Sequence, residues 1–94
     1  MPVVTVRAYA SIQQLLSPKP FEVKTSASTV KGLIEFLSDK FNTKLKEELL
    51  EKNGSLNLKY HIFVNGKNIQ HEAGLATPIR DSDLIMISTV IDGG

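Results

Sequence analysis

Apolar and polar residues alternate at the start of the chain, over residues 3–9. Val4, Val6 and Ala8 fall on one face of this segment, which is the pattern of a half-buried β-strand. After a short stretch that contains two prolines, residues 21–25 alternate again. The two segments predict a pair of antiparallel strands. Between them, a turn of helix or a loop is expected, with its leucine and isoleucine side chains packed into the core.

The spacing of apolar residues changes to helical after Ser28-Thr29, either of which can cap the first turn of a helix. An apolar stripe with spacings of three and four follows, formed by Val30, Leu33, Ile34, Leu37 and Phe41. A more polar stretch over residues 43–52 predicts a second, minor helix, with Leu45 and Leu49 facing inward. The chain is therefore expected to fold with one main helix and one minor helix.

The second half of the chain returns to strand patterns. Residues 60–64 carry β-formers on both faces, which is typical of an internal strand. Asn65-Gly66 is the strongest two-residue hairpin signal in the chain, and residues 67–70 should return as a short strand. Residues 84–90 are apolar on both faces and predict a last, internal strand.

This order of elements predicts the α+β class: a mixed sheet of four to five strands with both helices on one face. The first and last strands are expected to lie side by side and parallel in the centre. Ninety-four residues suffice for one core, so a single domain is expected over residues 1–94, with a flexible Gly-Gly tail over about residues 88–94.

Composition narrows the possible functions. The net charge of +1 gives no field that would favour nucleic acid or an anionic membrane, and a soluble, cytoplasmic protein is expected. The absence of cysteine excludes disulfides, metal sites with thiolate ligands and a cysteine nucleophile. With only His61 and His71 as imidazoles, no metal site is expected, and no serine motif indicates a catalytic nucleophile. The sequence therefore predicts a protein that is not an enzyme.

The last two residues, Gly93 and Gly94, are the candidate site of chemistry. Glycine adds no side chain to a core, but a Gly-Gly end can thread a narrow channel and leaves its carboxyl carbon unhindered. That carboxylate has a reference pKa of about 3.3–3.7, so it is ionised at neutral pH and is a poor electrophile. It must be activated, most simply as an acyl-adenylate, before sulfide or an amine can attack it.

A partner surface is the second candidate feature. One face of the sheet must meet the helices, and the other could expose Phe63, Met86 or Ile87 as an apolar patch. The sequence supports equally the alternative that these three side chains belong to the core.

These features together resemble the β-grasp, ubiquitin-like sulfur carriers, and most closely the small subunit of molybdopterin synthase. The resemblance covers nearly the whole chain. The segments that carry it are the opening strand into Ser11-Ile12-Gln13-Gln14-Leu15, then Ser28-Thr29-Val30, Val64-Asn65-Gly66, Thr77-Pro78-Ile79-Arg80-Asp81-Ser82-Asp83 and Gly93-Gly94.

The resemblance implies that an enzyme similar to the ubiquitin-activating proteins adenylates Gly94 with ATP, and that the product becomes a thiocarboxylate that donates sulfur. It implies Gly93 as the flexible neighbour, and Ile91 and Asp92 as tail residues near the partner. The implied partners are this activating enzyme and the large subunit of molybdopterin synthase, with no cofactor bound to the carrier itself.

Two departures from the family pattern leave alternatives open. Residues 88–91 stand where the small subunits usually show an aromatic residue, two prolines and an apolar residue. Ser82 replaces a common glycine, a change that a different turn type could absorb. The alternatives are a protein modifier joined through Gly94 to lysines of target proteins, and a sulfur carrier for thiamine synthesis or tRNA thiolation.

Overall fold

The structure, a computed structural model, describes residues 1–89. Its strands are β1 (Val3–Ala8), β2 (Phe21–Lys24), β3 (Tyr60–Val64), β4 (Lys67–Asn68) and β5 (Leu84–Thr89). Its α-helices are α1 (Val30–Lys40) and α2 (Lys44–Leu49). Short 3-10 helices span Ala10–Leu15, Ile69–His71 and Gly74–Ala76.

The five strands form one mixed sheet in the order β2-β1-β5-β3-β4. β1 and β5 are parallel, with Val6 opposite Ile85, while the other neighbouring pairs are antiparallel. The predicted α+β class and the predicted central, parallel pairing of first and last strands are confirmed. Because β5 is the middle strand, the last described residue, Thr89, lies in a strand between β1 and β3 rather than in an edge strand.

The core lies between one face of the sheet and the two α-helices. The strands contribute every second residue to it, as period-two alternation requires. The fully buried large side chains are Ile12, Leu33, Ile34, Leu37, Leu45, Leu49, Ile62, Ile69, Ile85, Ile87, Val4 and Val6. Together with the buried Ala8 and Val30, this set confirms the inward faces predicted for the first strand and the minor helix, and that of the main helix apart from Phe41.

Helix α1 begins where the sequence predicts. Thr29 has an extended backbone, and its side-chain oxygen accepts a hydrogen bond of 3.1 Å from the backbone N–H of Gly32. Phe41 was predicted to continue the buried stripe but is 44% exposed. It follows the last helical residue and packs against Phe21, with ring centroids 5.0 Å apart.

Helix α2 is shorter than the predicted residues 43–52. Its backbone becomes extended at Leu50, which forms an isolated bridge with Leu56 and so ends the helix. Its two inward leucines are fully buried, as predicted. Within residues 1–89, neither α-helix is long and apolar enough to cross a membrane.

The turn between β3 and β4 fixes the position of β5. Asn65 and Gly66 both have positive φ, 53° and 85°, as the predicted two-residue hairpin turn requires. The Asn65 side chain accepts a hydrogen bond from the backbone N–H of Leu84 and donates one to Asp83, each of 2.8 Å. The hairpin is thereby tied to the first residue of β5.

One loop differs from the prediction, and a second shows the backbone conformation that Ser82 adopts. The short strand predicted over residues 67–70 ends at Asn68, whose side chain accepts a hydrogen bond from the N–H of Gln70 and so starts a 3-10 helix. Ser82, which replaces a glycine common in the family, has a left-handed backbone with a φ of 71°. Its N–H donates to the carbonyl of Val3.

Candidate functional site

The predicted reacting residue Gly94 and the predicted tail residues Ile91, Asp92 and Gly93 lie outside the described residues. The structure does show where the chain approaches them. The predicted last strand and the predicted tail overlapped from residue 88 onward. Ser88 and Thr89 are part of β5, since they pair with His61 and Tyr60 of β3.

The sheet face opposite the helices carries a shallow apolar groove at this end of β5. The groove has a volume of about 370 Å³ and is lined by Tyr9, Ala10, Phe63, Met86, Ser88 and Thr89. We call it the outer-face groove. It holds the last described residues of the chain, so it lies directly beside the start of residues 90–94.

Strand alternation decides which predicted surface residues reach this groove. Phe63 and Met86 are opposite each other across β3 and β5, and both are half-buried on the outer face. Ile87 is only 1% exposed and belongs to the core. The prediction that Ile87 is a surface residue is therefore wrong, because adjacent strand residues point to opposite faces and Met86 already occupies the outer one.

Aromatic contacts order the side chains around the outer-face groove. The Tyr9 hydroxyl lies 3.7 Å from the sulfur of Met86, to which it donates a weak hydrogen bond. The Arg7 guanidinium carbon lies 5.4 Å from the centroid of the Tyr9 ring, in cation–π contact. On the far side, His61 meets the Phe63 ring edge-on at 6.0 Å.

Tyr9 and Ala10 are groove residues that sequence reasoning missed. The Tyr9 N–H donates a hydrogen bond of 2.9 Å to the carbonyl of Ile87, which holds the end of β1 against β5. Ala10 then has a φ of 57°, so the chain turns sharply there into the 3-10 helix. The available signal was alternation, which already placed Tyr9 on the face opposite Val4, Val6 and Ala8.

The chemistry of the groove is that of a binding surface. Its lining, within the part of the chain that the structure describes, offers three hydroxyl groups and no carboxylate, imidazole or amine. Residues 1–89 also hold no group of three or more His, Asp or Glu side chains that could bind a metal. The groove can accept an apolar side chain of a partner.

The chain is similar to carriers and modifiers over its whole length. It is 35% identical to a protein described as a sulfur carrier in Archaeoglobus fulgidus, over 97% of this chain and 98% of that protein. The small archaeal modifier protein 1 of Methanosarcina acetivorans has 30% identity and a TM-score of 0.78, covering 100% of this chain and 98% of the other. CysO of Mycobacterium tuberculosis has 26% identity and a TM-score of 0.79, covering 94% and 99%. No protein-family model matches the sequence.

Proposed function

Because the chain belongs to the β-grasp family of ubiquitin-like sulfur carriers, we propose that it carries sulfur as a thiocarboxylate on Gly94. Membership of this family confirms the β-grasp fold predicted from the sequence. The observation that carries the proposal is the full-length likeness to a described sulfur carrier in a sequence that closes on Gly93-Gly94. The protein acts as a carrier, and the catalytic groups belong to its partners.

The proposed loading takes two steps. A carboxylate oxygen of Gly94 attacks the α-phosphorus of ATP on an activating enzyme, and pyrophosphate leaves. A hydrosulfide-level sulfur donor then attacks the carbonyl carbon of the acyl-adenylate, AMP leaves, and the carboxyl end holds C(=O)–S⁻. This route requires no thiol on the carrier, which agrees with a sequence that has no cysteine.

The outer-face groove supports the proposal by its position. Five residues span at most about 18 Å when fully extended, so an enzyme that acts on Gly94 works within that distance of Thr89. We propose that the activating enzyme docks on the groove and buries Phe63 and Met86. Aromatic residues and methionine are enriched in protein interfaces, where a few central, desolvated side chains carry most of the binding energy.

The first test is ATP–pyrophosphate exchange catalysed by the activating enzyme of the same organism. Exchange should require this chain and should be lost when Gly94 is deleted. Phe63→Ala should raise KM about tenfold, which corresponds to about 1.4 kcal/mol of lost docking energy. Glu51→Ala, a change of an exposed residue outside the groove, is the matched control and should leave KM unchanged. Exchange that persists without Gly94 would contradict the proposal.

The destination we propose for the sulfur is the molybdenum cofactor, with the large subunit of molybdopterin synthase as the acceptor. The sequence resemblance to the small subunit of molybdopterin synthase supports this destination. The departure from the small-subunit pattern at residues 88–91 argues against it. The thiocarboxylate form should convert a molybdopterin precursor in the presence of that large subunit. Sulfur transfer to a thiamine precursor or to tRNA, and not to the molybdopterin precursor, would reassign the destination.

A protein modifier is the second candidate function, and the likeness to small archaeal modifier protein 1 favours it. The same acyl-adenylate would be attacked by a lysine ε-amine, which forms an isopeptide bond and releases AMP. Proteolysis of cell extracts should then yield lysines that carry a remnant of the Gly93-Gly94 end. Absence of such remnants in cells that contain the protein would exclude this function.

A further inference from the structure

Strand β2 forms one edge of the sheet and has backbone groups without a strand partner. Within residues 1–89, only β1 pairs with it. The N–H of Thr25 donates a hydrogen bond of 3.0 Å to the carbonyl of Pro2, and the N–H of Thr5 donates to Asp83 beside β5. Hydrogen bonding alternates along an antiparallel pair, so the backbone groups of Glu22 and Lys24 point away from β1, toward the open edge.

The side chains of the same two residues carry opposite charges. Glu22 and Lys24 are both exposed, and they share the outer face because Val23 between them is only 4% exposed and points into the core. The edge therefore presents an acid and a base two positions apart, each on a residue whose N–H and C=O are turned outward.

This arrangement is complementary to itself. When two copies of β2 run antiparallel with Val23 opposite Val23 of the second copy, Glu22 of each lies opposite Lys24 of the other. That register also brings together the residues whose backbone groups face outward, which gives four hydrogen bonds. We propose that this edge is a self-association surface, through which a second copy of the chain extends the sheet from five to ten strands.

The opposite side of the same edge supports this assignment. Phe41 is 44% exposed and packs against Phe21, the first residue of β2, on the helix side of the sheet. A second copy added to β2 would cover part of this aromatic pair. The edge thus offers backbone hydrogen bonds, paired charges and apolar surface to one partner.

Short charged edge strands usually prevent association, because like charges on two copies repel. Here the alternation of sign reverses that effect in the antiparallel register, since each charge meets its opposite. A four-residue strand buries little surface, so the dimer should be weak and reversible. It leaves the outer-face groove open, because β1 lies between β2 and β5.

Charge-reversal substitutions in β2 test this register. The Kd of the dimer is measured by sedimentation equilibrium over a range of concentrations at low salt. Glu22→Lys or Lys24→Glu alone places like charges opposite each other twice per dimer, and each should raise Kd by about tenfold or more. The double variant Glu22→Lys/Lys24→Glu restores both pairs and should recover the affinity of the original chain. All three changes lie on exposed side chains, so circular dichroism should show an unchanged fold.

Amide hydrogen exchange supplies the second readout. The amides of Glu22 and Lys24 should become more protected as the concentration of the original chain rises, while the amide of Gln70, in a 3-10 helix at the other side of the sheet, should not change. A monomer at every concentration would overturn the proposal. A dimer Kd that the single substitutions leave unchanged would overturn it as well. So would a double variant whose Kd is as high as those of the single variants.

Discussion

Met86 and Ile87 are neighbours in β5 whose truncation should have opposite consequences. Ile87 is 1% exposed and lies in the core, whereas Met86 is half-buried beside the outer-face groove. Ile87→Ala should therefore lower the free energy of unfolding strongly and leave docking of the folded protein intact. Met86→Ala should do the reverse, weakening the interaction with the activating enzyme at little cost to stability.

The magnitude follows from the atoms removed. Ile87→Ala deletes three buried carbons, worth about 0.8 kcal/mol each in transfer energy, and the cavity left behind adds to the loss. We expect about 3 kcal/mol in total, which for a domain of this size lowers Tm by roughly 12–24 °C. Ile87→Val removes one carbon and should cost about 1 kcal/mol. Met86→Ala should cost about 1 kcal/mol or less.

Urea denaturation followed by circular dichroism measures these differences. The m-values should stay equal across the series, so that shifts in the midpoint report stability alone. Ile87→Val serves as the graded variant if Ile87→Ala leaves too little stability to fit. A Met86→Ala protein destabilised as much as Ile87→Ala would refute the assignment of the two residues to opposite faces.

Three further changes test other parts of the fold by the same denaturation assay. Asn65→Ala should lower the free energy of unfolding by about 2–3 kcal/mol, because it removes the side-chain hydrogen bonds to Asp83 and Leu84 and strains a left-handed backbone. Asn65→Gly should cost less, since glycine adopts that backbone without strain. Equal losses in the two variants would contradict this reasoning. Ser82→Gly should raise stability by about 1 kcal/mol, because glycine relieves the left-handed φ of 71°, and a loss would contradict it. Burial, reinforced by the negative charge of Glu48, raises the pKa of Tyr60 above its ordinary value. The folded state thus retains the Tyr60 proton more tightly than the unfolded state, so the free energy of unfolding should fall as pH rises above about 10. Tyr60→Phe removes this proton and should make that fall less steep. A Tyr60→Phe variant whose stability falls with pH as steeply as that of the original chain would refute the role of Tyr60.

The sheet and the main helix could be predicted because local pattern and tertiary packing agree there. Val4, Val6 and Ala8 alternate with polar residues on a strand that has only one buried face, so the sequence shows which side is inside. Thr29 caps the helix with its own side chain, and that signal is also local.

The site was harder to predict because β5 is apolar on both faces. Alternation could not show whether Met86 or Ile87 points outward, and the answer depends on the register of β5 against β1 and β3. Ala10 joined the groove through a left-handed turn at a residue type that does not favour one. Phe41 fits the helical spacing but follows the last helical residue, where periodicity no longer applies.

Sulfur loading on Gly94 is measured most directly by the intact mass of the protein after incubation with the activating enzyme, ATP and a sulfide donor. The mass should increase by the difference between one sulfur atom and one oxygen atom, and the change should be confined by fragmentation to Gly94 and absent when ATP is omitted. An unchanged mass under conditions in which the enzyme loads another carrier of this family, or a sulfur atom located on any other residue, would contradict it.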